Sequence, residues 1–284
     1  MDGIIIINKP KNCTSHDIVR NAKKIFNEKV GHTGTLDPNA TGVLTLLVGK
    51  GTQIAKYIIN HDKIYEAVLQ LGEKRDTADV EGKILETEEV LEESLYPENV
   101  KKVLKSLIGK QEQVPPIYSA IKVNGKKLYE YARKGENVEI QPRLIEIYDM
   151  ELIKIDSQNK TIEFRVHCSK GTYIRTLCEN IAERLHTVGY MKELNRSQVG
   201  EFKIEDSITI EELEKSAYNN FITIEDYFDL CQNINLNEKK LKLFLNGVQL
   251  TYNLDDGIYK IYSDEKFIGI GIVNNNLLKR EIIL

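Results

Sequence analysis

Gly31-His32-Thr33-Gly34-Thr35-Leu36-Asp37-Pro38-Asn39-Ala40-Thr41-Gly42 runs directly into Val43-Leu44-Thr45-Leu46-Leu47-Val48. The second segment is almost continuously apolar and predicts a strand buried on both faces. The first holds three glycines, which permit turns and close approaches closed to other residues. Pro38 keeps Asp37 extended and out of helix, so the backbone aims its carboxylate. Taken alone, Asp-Pro-Asn is an ordinary surface turn. A polar loop anchored on a buried strand is, however, a place for chemistry, and Asp37 becomes the candidate catalytic group.

Working outward, the 284 residues suffice for a large domain with a small appendage. A composition of 41% hydrophobic and 29% charged residues predicts a soluble globular protein. No apolar run approaches the ~20 residues of a bilayer span, and residues 3–7 are too short and lack the cleavage pattern of a signal peptide. A cytoplasmic protein without membrane contact is expected. Cys13, Cys168, Cys178 and Cys231 form no Cys-x-x-Cys pair, so neither a disulfide framework nor a zinc site is predicted. His167 and Cys168 are adjacent in an expected strand and point to opposite faces, so no metal is expected. The net charge of −4 argues at face value against nucleic acid. It conceals an acidic run from Glu86 to Glu98 and a basic cluster of Lys122, Lys126, Lys127, Arg133 and Lys134.

Before the Asp37 loop, residues 3–7 predict a strand, and Thr14-Ser15 offers an N-cap for a helix burying Ile18, Val19, Ala22, Ile25 and Phe26. After it, Gly49-Lys50-Gly51-Thr52 fails the phosphate-loop test, because Leu44 stands where a glycine is needed. Thr52 is expected to cap a helix through Ile54, Tyr57 and Ile58. Residues 65–71 predict a strand and 75–79 a polar turn. Pro97 opens a helix with Val100, Val103, Leu104, Leu107 and Ile108 at helical spacing. Pro115-Pro116 stiffens the entry to a segment in which Asn124-Gly125 predicts a hairpin turn. Tyrosines alternate with bases there, a composition suited to looped or single-stranded RNA.

Residues 143–155 and 161–168 predict paired strands. A helix follows, burying Ile174, Leu177, Cys178, Ile181 and Leu185, with Arg175 in its first turn. If buried, Arg175 needs an anionic partner, and Asp37 is a candidate. Residues 190–200 predict a strand containing Leu194 and Arg196. A boundary is expected near Asn233, after a polar stretch at 216–220. A short helix at 239–245 and strands at 258–262, 267–273 and 278–284 then predict a small β-barrel.

Placed in order, these pieces resemble the bacterial tRNA pseudouridine-55 synthase (TruB) family over nearly the whole chain. The likeness is carried by Asn8-Lys9-Pro10 with Thr14-Ser15, the loop from Gly31 to Gly42, Lys63-Ile64-Tyr65, and Asp76-Thr77 with Asp79 and Gly82. It continues through Pro115-Pro116 to Ser119-Ala120 with Lys122, Ser169 to Arg175, and Phe267-Ile268-Gly269-Ile270-Gly271. The resemblance implies an α+β fold. A mixed α/β catalytic domain with a central antiparallel sheet spans 1–232 and carries an RNA-clasping loop at about 114–139. A PUA-like RNA-binding barrel spans 233–284.

By the same likeness the chain isomerises uridine to pseudouridine at position 55 in the T loop of tRNA, by base flipping. Asp37 matches the catalytic aspartate, Tyr65 the tyrosine stacked on the target base, Arg175 the arginine paired with that aspartate, and Leu194 an apolar wall. His32 matches a histidine supporting the position the flipped uridine vacates. Asp79 and Tyr173 complete the implied substrate-binding set. Lys9 joins Lys122, Lys126, Lys127, Arg133 and Lys134 as implied RNA contacts. A monomer with tRNA as partner, no obligate protein partner and no cofactor is expected. Arg75 departs from the pattern, standing where a threonine is common, and the C-terminal barrel is short.

The residues make chemical sense of that activity. The isomerisation breaks a C–N glycosidic bond, turns the base and forms a C–C bond, with no redox change and no atom gained. A carboxylate can serve as nucleophile or proton acceptor, and a fixed arginine keeps it ionised and oriented. Two other classes fit parts of the sequence. An RNA-binding protein without catalysis has no need of Asp37, Tyr65 and Arg175 together, and a nucleoside-cleaving hydrolase would release free base.

Overall fold

The computed structural model describes residues 2–215 and 220–284. The polar stretch ahead of the expected boundary therefore lies, at 216–219, outside the described residues. The four consecutive isoleucines of β1 (Gly3–Lys9) are all buried, as is nearly all of β3 (Thr41–Val48). Between them come α1 (Ser15–Phe26) and β2 (Val30–His32). Thr14 caps α1 in a capping box: its hydroxyl accepts from the Asp17 N–H, and the Asp17 carboxylate accepts from the Thr14 N–H at 3.0 Å. A 3₁₀ turn over Gly49–Ile54 leads to α2 (Ala55–Ile58). Thr52 sits inside that turn and donates to the Gly49 carbonyl at 2.9 Å, so it does not cap the helix as expected.

β4 (Lys63–Leu71), β5 (Glu73–Arg75) and β6 (Ile84–Thr87) follow, then α3 (Pro97–Ser106) and β7 (Gly109–Gln113). Ile108 falls beyond the end of α3 and is exposed, because the chain turns at Gly109 with φ +117°. The basic segment forms the two-stranded hairpin β8 (Lys122–Val123) and β9 (Lys126–Lys127), then α4 (Leu128–Lys134). Asn124 and Gly125 both take positive φ, 50° and 82°, as this tight hairpin turn requires. β10 (Arg143–Asp156), β11 (Thr161–Cys168), α5 (Ile174–Arg184), β12 (Gly189–Val199) and β13 (Phe202–Lys203) complete the central region with α6 (Ile210–Lys215), β14 (Phe221–Thr223) and α7 (Ile224–Tyr227).

Among the described residues the main sheet has ten strands in the order β14-β1-β3-β12-β4-β11-β10-β7, with β13 on β12 and β2 on β3. It is antiparallel except where β3 meets β12, which pair in parallel through Thr41–Asn195 and Gly42–Arg196. The sheet is thus mixed. That parallel contact requires a glycine: Gly42, at φ +103°, lies so close to the Arg196 carbonyl that any Cβ would collide with it. One face is covered by α1, α3 and α5 over a core including Ile5, Leu44, Leu69, Phe164 and Leu177.

From Asn233 the chain enters a second sheet. β15 (Asn233–Asn235), α8 (Glu238–Leu245), β16 (Leu250–Thr251), β17 (Gly257–Ser263), β18 (Lys266–Asn274) and β19 (Leu277–Ile283) give the order β15-β17-β18-β19-β16. It curls as a half-barrel over Ile234, Phe244, Ile261 and Leu278. The edge strands β15 and β16 have three and two residues, too little to close the barrel expected from the sequence. Ile270 and Ile282 of this sheet share a core with Ile4, Ile6 and Leu47 on the other face of the main sheet. Among the described residues no helix is long and apolar enough to cross a membrane.

Candidate active site

Asp37 lies on the loop between β2 and β3, whose pairing brings His32 opposite Leu46 and closes the loop at its base. Three side chains from three other elements hold the loop. Ser15, in the first turn of α1, accepts from the Leu36 N–H at 2.9 Å and donates to the Leu36 carbonyl at 3.0 Å, replacing a strand partner. Arg196 of β12 is buried and donates to the carbonyls of Val43 at 2.8 Å and Gly34 at 3.0 Å. Lys9, at the end of β1, is fully buried. Its ammonium donates to the carbonyls of Pro10 and Cys13, both at 2.8 Å, and of Pro38 at 3.1 Å. Lys9 therefore faces the interior and ties down the residue after Asp37. The expected RNA contact at Lys9 is corrected on that ground: no water-facing ammonium remains to meet a phosphate.

Arg175 approaches Asp37 from the first turn of α5 and is only 6% exposed. Its guanidinium lies side-on, Nε to Oδ2 at 3.2 Å and Nη2 to Oδ1 at 3.4 Å. The remaining N–H groups donate to the carbonyls of Tyr118 at 2.9 Å and Thr77 at 3.2 Å, and Nη1 lies 3.5 Å from Asp79. Five donors in a rigid fork suit such a site, where a lysine could not replace them. No side chain within α5 caps its start. Gln113 of β7 instead fixes the backbone of the residue before it, its amide accepting from the Tyr173 N–H at 2.8 Å and donating to the Tyr173 carbonyl at 3.1 Å. Burial pushes the Asp37 carboxyl above its ordinary value. Arg175 and Lys9 pull it back, and Asp79 pushes with the burial.

A cavity of about 700 Å³ opens beside this pair, lined by Asp37, Tyr65, Tyr173, Arg175 and Leu194. That is within the usual size of a small-molecule or nucleotide pocket. Tyr65 is buried with its phenol raised by that burial, while the Arg196 charge opposes the shift. Lys63 also lines the cavity, and burial lowers its ammonium to about 8. Asp79 stands behind Arg175, held by the Thr77 hydroxyl at 2.6 Å and the Glu81 N–H at 3.0 Å, in a small cleft next to the cavity. His32 is set back on β2, half-buried, and its buried Nδ1 has no hydrogen-bond partner. Burial and the Arg196 charge lower its pKa.

Lys122, Lys126, Arg133 and Lys134 are exposed on the hairpin and α4, and Lys127 is half-buried. Their cations are not all free. Lys127 and Arg133 each lie 5.3 Å from the Tyr129 ring, and Lys126 lies 5.6 Å from that of Tyr131. The sequence gives Ser15 a place only as part of an N-cap, Lys63 only within a motif and Arg196 only within a strand, and it marks none of them, nor Gln113, as a site residue. Among the described residues no three His, Cys, Asp or Glu side chains converge as metal ligands would.

The description "TruB family pseudouridylate synthase (N terminal domain)" matches residues 23–174, and "tRNA pseudouridylate synthase B C-terminal domain" matches 175–235. The chain belongs to the TruB family. Its relatives named tRNA pseudouridine synthase B include one from Caldanaerobacter subterraneus subsp. tengcongensis, 42% identical over 98% of both chains. Another, from Clostridium novyi, is 42% identical over the full length of both. As a TruB-family member the chain is a tRNA pseudouridine synthase, an isomerase. Two solved structures share the fold. An H/ACA ribonucleoprotein bound to a substrate RNA containing 2′-deoxyuridine superposes with TM-score 0.68 at 21% identity, covering 99% of this chain and 85% of that one. A Cbf5–Nop10–Gar1 complex gives 0.68 at 23% identity, covering 99% and 83%. The two TruB segments meet at the first turn of α5, so β12, which brings Leu194 and Arg196 to the cavity, comes from the C-terminal one.

Proposed function

We propose that this TruB-family enzyme acts on uridine 55 of the tRNA T loop, with Asp37 as the group that does the chemistry. The observation that carries this is the Asp37 carboxylate, held side-on by buried Arg175 at the wall of a nucleotide-sized cavity. Glycosidic bond cleavage and C–C re-attachment need a carboxylate that is ionised and fixed, and Arg175 supplies both properties. The target base must leave its stack. Tyr65 offers a ring face for it, Leu194 an apolar wall and Tyr173 a further edge of the cavity. His32 supports the position the base vacates, and Asp79 fixes Arg175 from behind. Lys122, Lys126, Lys127, Arg133 and Lys134 hold the loop phosphates, and the segment at about 114–139 clasps the RNA. The division at 232/233 then separates the catalytic part from a PUA-like sheet that meets the acceptor stem. The enzyme works as a monomer without a cofactor.

The test is product analysis on a T stem-loop RNA incubated with the enzyme. Pseudouridine at position 55 with no free uracil is expected. Release of uracil, or modification at another position only, would overturn the proposal.

A further inference from the structure

The basic hairpin belongs to one half of the main sheet, since the chain leaves β7 at Gln113 and re-enters at Arg143 of β10, next to the β7 edge. A second basic surface lies in the other half. His16, Arg20, Lys23, Lys24 and Asn27 are all exposed, and they line a shallow depression of about 370 Å³. Their spacing of four, three, one and three places them on one face of α1, opposite buried Ile18, Val19 and Ala22. α1 packs on β2 and β3, and its first turn is bonded to the catalytic loop through Ser15 and Leu36. His16 is near enough to His32 for its charge to lower that group's pKa. The depression therefore lies on the helix whose first turn is bonded to the Asp37 loop.

Among the described residues one ion pair is formed by the cations of this face. Arg20 bonds the capping carboxylate of Asp17 at 2.6 Å. Lys23 and Lys24 form no ion pair among the described residues, on a chain whose net charge is −4. Unpaired lysines are often no more than a solvated helix face. Here they are gathered with an arginine and a histidine around one concavity, on the helix that holds the catalytic loop. Over the eleven steps from residue 16 to 27 an α-helix rises about 16 Å, long enough to meet several phosphates of a polynucleotide.

We propose that this face of α1 binds the phosphate backbone of the same tRNA, so that the RNA is gripped on both sides of Asp37. The proposal rests on the tRNA substrate named above and adds a contact surface that the hairpin does not provide.

The test measures binding of full-length tRNA against salt concentration for Asp37→Asn, and for Asp37→Asn carrying Lys23→Ala and Lys24→Ala. Alanine preserves helix, and Arg20 is left in place to keep the Asp17 cap. A thermal melt followed by circular dichroism verifies the fold. Two lost phosphate contacts should lower the slope of log affinity against log salt by about 1.4 to 1.8. A slope equal to that of the parent overturns the proposal, whatever the companion hairpin variant Lys126→Ala/Lys127→Ala does. Pseudouridine formation by the wild-type chain in the same tRNA is scored separately. Its absence would count against the proposed function, while the slope would still decide the role of α1.

Discussion

The loop that carries Asp37 and the hairpin that carries the lysines are both polar, glycine-containing connections, yet they are built in opposite ways. The Asp37 loop is gripped by buried Ser15, Lys9 and Arg196, and its carboxylate is fixed by Arg175. The hairpin at Asn124-Gly125 is held by a two-stranded ladder and by bonds within its own segment, the Tyr131 hydroxyl donating to the Val123 carbonyl among them, and Lys126, Lys127 and Arg133 rest on its own tyrosines. A reacting group must be held to within fractions of an ångström, and rigid supports achieve that. A phosphate contact tolerates play, because its energy is largely non-directional and released counterions contribute much of it. Substitutions in the first region should therefore alter rate and stability, and those in the second should alter capture.

The largest effect is expected at Arg175. Arg175→Met keeps the bulk and removes the fork, leaving Asp37 beside Asp79 without their shared cation. The single-turnover rate should fall on the order of 10²–10³-fold, the usual loss for one preorganised electrostatic contact. The pH profile gives the sign. Burial already raises the Asp37 carboxyl, so the wild-type rate should climb with pH through an acid limb above the ordinary carboxylate value of about 3.9. Losing the arginine removes a charge that favours ionisation, so the limb should move further up. A limb that moves down or stays in place would mean that Asp37 is not the titrating group.

Lys9→Met comes next and probes the supports rather than the reacting group. It leaves the carbonyls of Pro10, Cys13 and Pro38 without their donor, which should cost about 3 kcal/mol in a denaturant titration. Unchanged stability would show that the loop does not depend on this tie. On the hairpin side, Lys126→Ala/Lys127→Ala should leave stability within about 0.5 kcal/mol, as for ordinary surface changes. Its binding slope against salt should fall by about 1.4 to 1.8, and KM should rise more than single-turnover rate falls. The smallest effect is expected from chelation. Activity on a pre-folded T stem-loop should persist with chelator present, and its loss would point to a metal that this account lacks.

Local patterns made much of this legible in the sequence. The isoleucine run of β1, the apolar β3, the Thr14 cap and the Asn124-Gly125 turn each state their structure within a few residues. Asp37 was marked by its glycine-rich setting and Arg175 by its place on a helix that had to be buried. What stayed hidden was long-range. Ser15 bonds a residue 21 positions away, Arg196 bonds Gly34 at a separation of 162, and Lys9 bonds Pro38 at 29. A lysine ending a strand gives no local sign that it is buried, so Lys9 was assigned to RNA. The parallel contact of β3 with β12 depends on a close approach at Gly42 that periodicity does not encode.

The division of labour between the two regions comes to its sharpest test in Asp37→Asn, measured beside wild type for tRNA binding and for single-turnover pseudouridine formation at saturating enzyme. Asparagine keeps the shape of the side chain and removes its charge, and the backbone clamps do not involve the carboxylate. Binding should stay within a few-fold of wild type while pseudouridine formation is abolished. If Asp37→Asn forms pseudouridine at a rate near that of wild type, the chemistry does not reside in the clamped loop.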